Sequence, residues 1–445
     1  MSDPKAGAVP EAAGEVRLRK PERRQMEWVP QCTDDFVSAT HGVRTVAAVV
    51  AKLDLSAFRE PIKAREGVAG RDSTDPELLV SLWLYACIRG IGSARELARQ
   101  CEESAPFRWL CGGVGVNHRM LSDFRTDHGE ALDQLFTQVI ASLVDQELVS
   151  VSRVSQDGVR VRVSAGAGSF RREERLQKLL VESQKHVAEL RRQVEEPEKL
   201  SVAAGKKKAV QRRVAQEKQR RLEQALAQLP ELKQRQQERA QRAGQGTYGQ
   251  KIRDRALRVS TSDPEARVMK MPNGGYNPAC NVQLASDPQS RAILGVEVTN
   301  QGYDSAGLSE AMREQVERRS GRRVEQQLLD GGYLCNRDLE RAHEQKVELF
   351  VPPKGARTAK NRGRELQPQR RDSAAIRAWK QRMASEEGRE IYRQRAATSE
   401  TINADLRSYR GLTQITVRGL NKARCVALWC ALAYNLMHFG TALLK

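Results

Sequence analysis

The sequence predicts a mixed α/β chain: a mixed sheet flanked by helices, preceded by an all-α region and interrupted by a helical hairpin. Three patterns predict it. Residues 25–150 read as short amphipathic helices joined by glycine turns. Residues 171–246 contain almost no aromatics and repeat apolar side chains every three or four positions. Residues 151–170 and 247–441 alternate strand-like and helical runs. At 445 residues the chain exceeds one ordinary compact domain, so two or three are expected.

Residues 1–24 are rich in Ala, Pro and charge and are expected to form a disordered tail. In the helical region that follows, Asp75 and Pro76 start a helix as N-cap and first-turn residue. Leu78, Leu79, Leu82 and Tyr85 line one of its faces. The turn Gly90-Ile91-Gly92 leads to a helix opened by Ser93 and Glu96, a capping-box pair. A short helix with Phe107, Trp109 and Leu110 ends at Gly112-Gly113, and another begins at Asn117. That last helix carries His118, Arg119, Ser122 and Arg125. Short helices broken by glycine turns, with arginines on the last, suit a helix-turn-helix DNA reader. A packed bundle whose arginines face solvent suits them as well.

In 171–246 the apolar stripe runs through Leu176, Leu179, Ser183, Val187, Leu190 and Val194, then resumes at Val210, Val214, Leu222, Leu226 and Leu229. This is the pattern of a helical hairpin whose arms extend roughly 40–50 Å each. The arms could pair with each other or with a second subunit. Their charges read either as a solvated face or as a DNA contact. Beyond residue 247, "ARVMKMPNGGYNPACNVQLASD" gives strand, Gly-Gly turn and strand, and "AILGVEVTN" gives another strand. A helix over "DSAGLSEAMREQVERRSG" leads to a strand ending at Asp330. Helix 336–346, the strand "VELFVP", a basic stretch over 354–389 and a long helix around Glu400 complete the order. The hairpin thus splits the α/β region after its first strand.

Lys and Arg outnumber Asp and Glu by 75 to 56, a net charge of +19. A balance this basic favours a polyanion such as nucleic acid as partner. The excess is local: 171–246 holds 20 basic against 11 acidic residues, and 353–395 holds 13 against 5. The eight cysteines form no C-x-x-C pair and no zinc spacing with the six histidines, so they are expected to be reduced and structural. The N-terminus lacks the apolar core of a signal peptide. The longest apolar run, Cys425 to Met437, is too short to span a bilayer. The expectation is a soluble cytoplasmic protein with no membrane partner.

Three acidic residues are the candidate catalytic and metal-binding set. Asp157 is expected to close a strand in "VSRVSQDGVRVRVSAG", and Asp330 ends another in "VEQQLLDGGYLCNRDLE". Glu400 lies on a helix that spaces Tyr392, Arg395, Glu400 and Arg407 at intervals of three, five and seven. Each has a bland reading, the aspartates as turn residues and Glu400 as a surface partner of Arg407. Together they suit a pair of Mg²⁺ ions. Two hard cations roughly 3.5–4 Å apart activate a nucleophile and neutralise a leaving oxygen in phosphoryl transfer, and a few carboxylates suffice to hold them. Arg395 and Arg407 can grip phosphates bidentately, and Tyr392 can hydrogen-bond one.

These segments resemble insertion-sequence transposases of the DDE class. The similarity runs from about residue 25 to 440 and includes "DPELLVSLWLYACIRGIGSARELARQCEES", "FRWLCGGVGVNHRMLSDFRTDHGEALD", "QDGVRVRVSAGAGSFRR", "LLDGGYLCNRDLE" and "RGLNKARCVALWCALAYNLMHF". The resemblance implies a ribonuclease-H-like catalytic domain with Asp157, Asp330 and Glu400 as its catalytic triad. Tyr392, Arg395, Glu400 and Arg407 are similar to the family's Y-R-E-K signature. The family usually has Lys where this chain has Arg407, which keeps the charge and changes the geometry. The resemblance further implies recognition of element ends by the N-terminal helices, a synaptic homodimer, and double-stranded DNA as both substrate and target. It implies two Mg²⁺ ions per site, with Mn²⁺ as substitute. A transposase-derived DNA-binding regulator without catalysis, or a nuclease of the same fold, are the alternatives.

Overall fold

The computed structural model describes residues 21–24, 26, 30–67, 69–195, 202–302, 307–353 and 366–445. Most of the tail expected over 1–24, the tip of the hairpin and the first part of the basic stretch at 354–389 lie outside these residues. The N-terminal region is helical: α1 (Gly42–Lys52), α2 (Pro76–Ile88), α3 (Ala94–Glu103), α4 (Ala105–Cys111), α5 (His118–Asp127) and α6 (Gly129–Asp145). The caps are those read from the sequence. Asp75 accepts from the Glu77 amide at 3.0 Å, Ser93 from the Glu96 amide at 3.4 Å, and Asn117 from the Arg119 and Met120 amides. The Glu96 side chain does not complete the capping box; it binds Arg99 and Gln100 instead.

One expectation fails in α2. Its apolar residues were assigned to a single face, yet every residue from Leu79 to Cys87 is buried. The reason is that α2 is wrapped by α1, α4, α5 and the last long helix of the chain, α14 (Leu420–Phe439). A helix enclosed on all sides has no polar face to present, so it cannot be amphipathic.

The sheet has seven strands: β1 (Arg153–Val163), β2 (Arg267–Lys270), β3 (Tyr276–Ser286), β4 (Ile293–Thr299), β5 (Gln326–Leu328), β6 (Glu348–Phe350) and β7 (Gln414–Ile415). Helices α10 (Leu308–Ser320), α11 (Asn336–Glu344), α12 (Ala374–Ala384) and α13 (Glu386–Ser408) alternate with or follow the later strands, after three helices inserted between residues 173 and 243. The central path runs β2-β3-β1-β5-β6. β1 pairs antiparallel with β3, from Ser155 opposite Ser286 to Arg162 opposite Ala279. Its other edge is shared by two parallel partners, β5 against residues 153–155 and β7 against residues 162–163. The expectation that Asp157 closes the first strand is corrected: it lies mid-strand, because the pairing with β3 continues without a break through Gly158.

A single apolar core extends from Val37 to Leu436 and joins the N-terminal helices to the sheet through α14. Trp429 on α14 is 1 % exposed, and its indole nitrogen donates to the Arg125 carbonyl at 3.1 Å. Asn435, also on α14, holds the backbone of Ile293 on β4 through both its carbonyl and amide. A second tie is a close approach of two turns. Gly90 has φ +71°, and a Cβ there would stand 2.9 Å from the Tyr409 carbonyl oxygen, so only glycine fits. The turn after α2 is thereby seated on the chain that leaves α13.

The insertion leaves the sheet region at Phe170–Arg171 and returns at Val259–Ser260, where these residues pair as a short antiparallel ladder. Between them lie α7 (Glu173–Glu195), α8 (Val202–Ala227), α9 (Leu229–Ala243) and a last turn of helix at Thr247–Arg253. Of the two pairings open from sequence, α7 and α8 pack against each other. The stripe read for the second arm is partly corrected: Leu222 and Leu229 are buried as expected, but Val210 and Val214 are exposed and Ala215 and Ala225 face inward.

The shared core makes the N-terminal helices and the sheet one cooperative unit. Trp429→Ala is expected to cost about 3–5 kcal/mol, the usual range for a large aromatic removed from a core. Amide hydrogen exchange should then show protection falling together in α2 and β4. Loss confined to one of them would separate the two parts.

Candidate active site

The parallel strands β1 and β5 lead to the site. Arg153 pairs with Gln326, Val154 with Gln327 and Ser155 with Leu328, where the ladder ends. Ser155 and Asp157 share one face of β1, because side chains alternate along a strand. Asp330 lies two residues beyond β5, and its charge acts together with that of Asp157 on Arg395 and Tyr392. Asp157 is half-buried, while Asp330 is exposed at the start of the turn Gly331–Tyr333.

Helix α13 covers this face of the sheet. Ser385 caps it by accepting from the Gly388 amide at 3.0 Å, and Glu386 and Glu387 complement the positive end of its dipole. The stripe Tyr392, Arg395, Ser399 and Asn403, spaced three, four and four residues apart, faces β1. Ser399 and Ser155 share a hydroxyl–hydroxyl bond of 2.9 Å at the buried contact. Gln394 accepts from the Arg153 guanidinium at 2.8 Å.

Both oxygens of Asp157 are held from α13. The Arg395 guanidinium donates to Oδ1 at 3.0 Å, and the Asn403 amide donates to Oδ2 at 3.0 Å. The Gly158 amide also donates to Oδ1. Burial alone would lower the pKa of Arg395, but the negative charges of Asp157 and Asp330, with the nearby phenols, leave it raised. Burial pushes the Tyr392 hydroxyl up; Arg395 works against that, and Asp330 and Asp157 add to it. The phenol is therefore a proton donor at neutral pH.

Behind the aspartates, on the other face of the sheet, lies a ladder of three fully buried glutamines. Gln327 donates to Gln156 at 2.9 Å, Gln156 donates to Gln283 at 3.1 Å, and the Tyr333 hydroxyl donates to Gln283. The ladder spans β5, β1 and β3, and Tyr333 ties it to the turn that begins at Asp330. Only the Gln327 Oε1 of this ladder is buried without a partner among the described residues, and the chain of bonds ties β5, β1 and β3 together.

Of the residues expected at the site, the structure gathers Asp157, Asp330, Tyr392 and Arg395. Glu400 lies on the same helix but is exposed, at about 60° around the axis from Asn403 and 140° from Arg395. Among the described residues no three metal-ligating side chains form a cluster. Asp157 and Asp330 both act on Arg395 and Tyr392, while Glu400 faces solvent. Arg407 is half-buried and makes no ion pair among the described residues. His118 and Arg119 are exposed on the first turn of α5. Arg125, expected at a DNA surface, is corrected: it is 6 % exposed, its guanidinium lies 4.6 Å from the Trp83 ring and donates to the Gly92 carbonyl. It braces the helical region from within because α5 turns this side toward α2 and α14. Asn403 and the glutamine ladder were not anticipated. The three-four-four stripe on α13 carried a signal for Asn403; the ladder needed the strand register.

Comparison with known families follows this geometry. A family model described as a transposase domain (DUF772) matches residues 31–127, and one described as a transposase DDE domain matches residues 254–436. No curated protein and no solved structure matches the chain. The second match contains Asp330, Glu400 and α13 but not Asp157, which precedes the insertion and is brought to the site by strand pairing. Two transposase models matched in order along one chain, over residues 31–127 and 254–436, make this protein a member of the insertion-sequence DDE transposases.

Proposed function

We propose that this transposase cleaves a DNA strand at the ends of its own element and joins the freed 3′-hydroxyl to target DNA. The observation that supports the reading is Arg395 of α13 bound to Asp157, with the charge of Asp330 acting on the same guanidinium. Carboxylate oxygens suit hard divalent ions, and two exposed or half-buried aspartates fit that donor set. Asp157, Asp330 and Glu400 are the residues that would hold Mg²⁺, or Mn²⁺ in its place. Two such ions supply activation of the attacking oxygen and neutralisation of the leaving one.

The chain's own residues do the rest. Asn403 orients Asp157 through Oδ2. Tyr392 stays protonated and can donate to a phosphate oxygen. Arg407, without an ion-pair partner, is available to a phosphate on the outer side of α13. Arg395 neutralises Asp157 before any ion arrives and competes with a cation for Oδ1; once relieved of that role it can grip a phosphate bidentately. His118 and Arg119 on α5 are the exposed groups of the helical region proposed to meet the element end. A homodimer would bring two ends together, each subunit contributing one site.

Asp157→Ala is expected to abolish strand cleavage and leave binding of end-bearing duplex nearly unchanged, read by a cleavage assay in Mg²⁺ beside a gel shift. Lost binding would assign Asp157 a structural role. Nicking without joined products from the unaltered protein would favour a nuclease, and binding without nicking a regulator. Arg395→Gln is expected to tighten Mn²⁺ binding in the absence of DNA by roughly tenfold, since a charge-assisted hydrogen bond of about 1.5–3 kcal/mol no longer competes. The same variant should cleave more slowly. Free Mn²⁺ measured by electron paramagnetic resonance decides it, and weaker binding would contradict the competition.

A further inference from the structure

We infer that the outer face of α8 is a second, sequence-independent contact for duplex DNA, on an element other than those that carry the carboxylates. The inference rests on the DNA-transposing reading above. Between Lys206 and Arg221 the helix carries Lys206, Lys207, Lys208, Arg212, Arg213, Lys218, Arg220 and Arg221 against one acid, Glu217. Glu217 is taken by Arg220 at 2.9 Å and Arg221 at 3.5 Å. The other six cations make no ion pair among the described residues.

The rest of the insertion is built differently. On α7, Arg175 pairs with Glu182 and Arg192 with Glu189; on α9, Lys233 pairs with Glu173 of α7 and Arg235 with Glu231. α7 carries five basic against five acidic residues and α9 four against two, whereas α8 carries eight against two, so the excess is concentrated on α8. It works against the helix, since Lys208 and Arg212 are like charges four residues apart. Packing of Ala215, Leu222 and Ala225 toward α7 keeps the helix formed regardless.

The unpaired cations are aimed outward. Lys206, Lys207, Arg213 and Lys218 are all exposed, and they extend over about 18 Å of helix, roughly half a turn of B-form duplex. No aromatic side chain lies anywhere on α8. Single-stranded nucleic acid is held largely by stacking on aromatic rings, so their absence favours the double-stranded phosphate backbone. Lysines dominate the strip, and exposed Val210 and Val214 lie between its cations, which suits positioning on phosphates and not the reading of bases.

The test uses the full chain carrying Lys206→Gln, Lys207→Gln, Arg213→Gln and Lys218→Gln. A control removes the same charge from ion-paired positions: Arg99→Gln, Arg175→Gln, Arg192→Gln and Arg235→Gln. Binding to a duplex without element ends is followed by fluorescence anisotropy across salt concentration. The logarithmic salt slope should become shallower by about 3–4 in the first variant, at ~0.9 per lost phosphate contact, and change little in the control. The double variant Lys206→Gln/Lys207→Gln should give about half that change, and circular dichroism checks that the helices persist. An unchanged slope, or equal loss in the control, overturns the α8 contact while unaltered cleavage of end-bearing DNA leaves the transposase reading standing. A wild-type chain that neither binds nor cleaves duplex DNA overturns both.

Discussion

Asp157 and Asp330 both act on one guanidinium, that of Arg395, and the rest of the site is arranged around this shared cation. Behind it the buried glutamine ladder ties β5, β1 and β3 together. Arg395 and Asn403 reach down from α13 and take one oxygen each of Asp157. The same contact positions α13, because Ser399 and Ser155 meet between those two residues with only hydroxyls separating helix from strand. Asp157 is thus held by a cation of the chain itself, on a side chain suited to phosphate.

The helical region is not an independent appendage to this arrangement. Its core continues into the sheet through α14, and Arg125, placed by its composition on a binding surface, is consumed in that joint. The Gly90 turn sits against the Tyr409 carbonyl immediately after α13. The elements proposed to meet the element end and the helix bearing Glu400 therefore share a rigid contact. Tight packing of this kind transmits small displacements without absorbing them.

Much of this was legible in the sequence because local rules govern it. Caps at Asp75, Ser93 and Asn117, the Gly-Gly turn before β3 and the strand–helix alternation after it all follow from residues a few positions apart. The residues around Glu400 signalled a helix with a basic, phenolic face. What was not legible depends on partners distant in the chain. Asp157 read as a strand end because its neighbour is Gly158, yet β3, more than a hundred residues later, carries the pairing through it. α2 read as amphipathic because nothing local reveals α14, which encloses it. Val210 and Val214 read as core because their spacing fits, although Ala215 and Ala225 are buried in their place, beside Leu222. Asn403 and the glutamines carry no charge pattern, and only the fold gives them a role.

In the proposed function Asp157 and Asp330 form the fixed half of a metal-dependent site that Glu400 completes from α13. Anomalous diffraction from crystals of the chain grown with Mn²⁺ and a cleaved element end decides it. The expected result is anomalous density between Asp157 and Asp330, the Arg395 guanidinium moved from Asp157 to a phosphate, and the Glu400 carboxylate turned in toward the ions. Ions bound elsewhere, or Arg395 still paired with Asp157 beside a bound end, would contradict it.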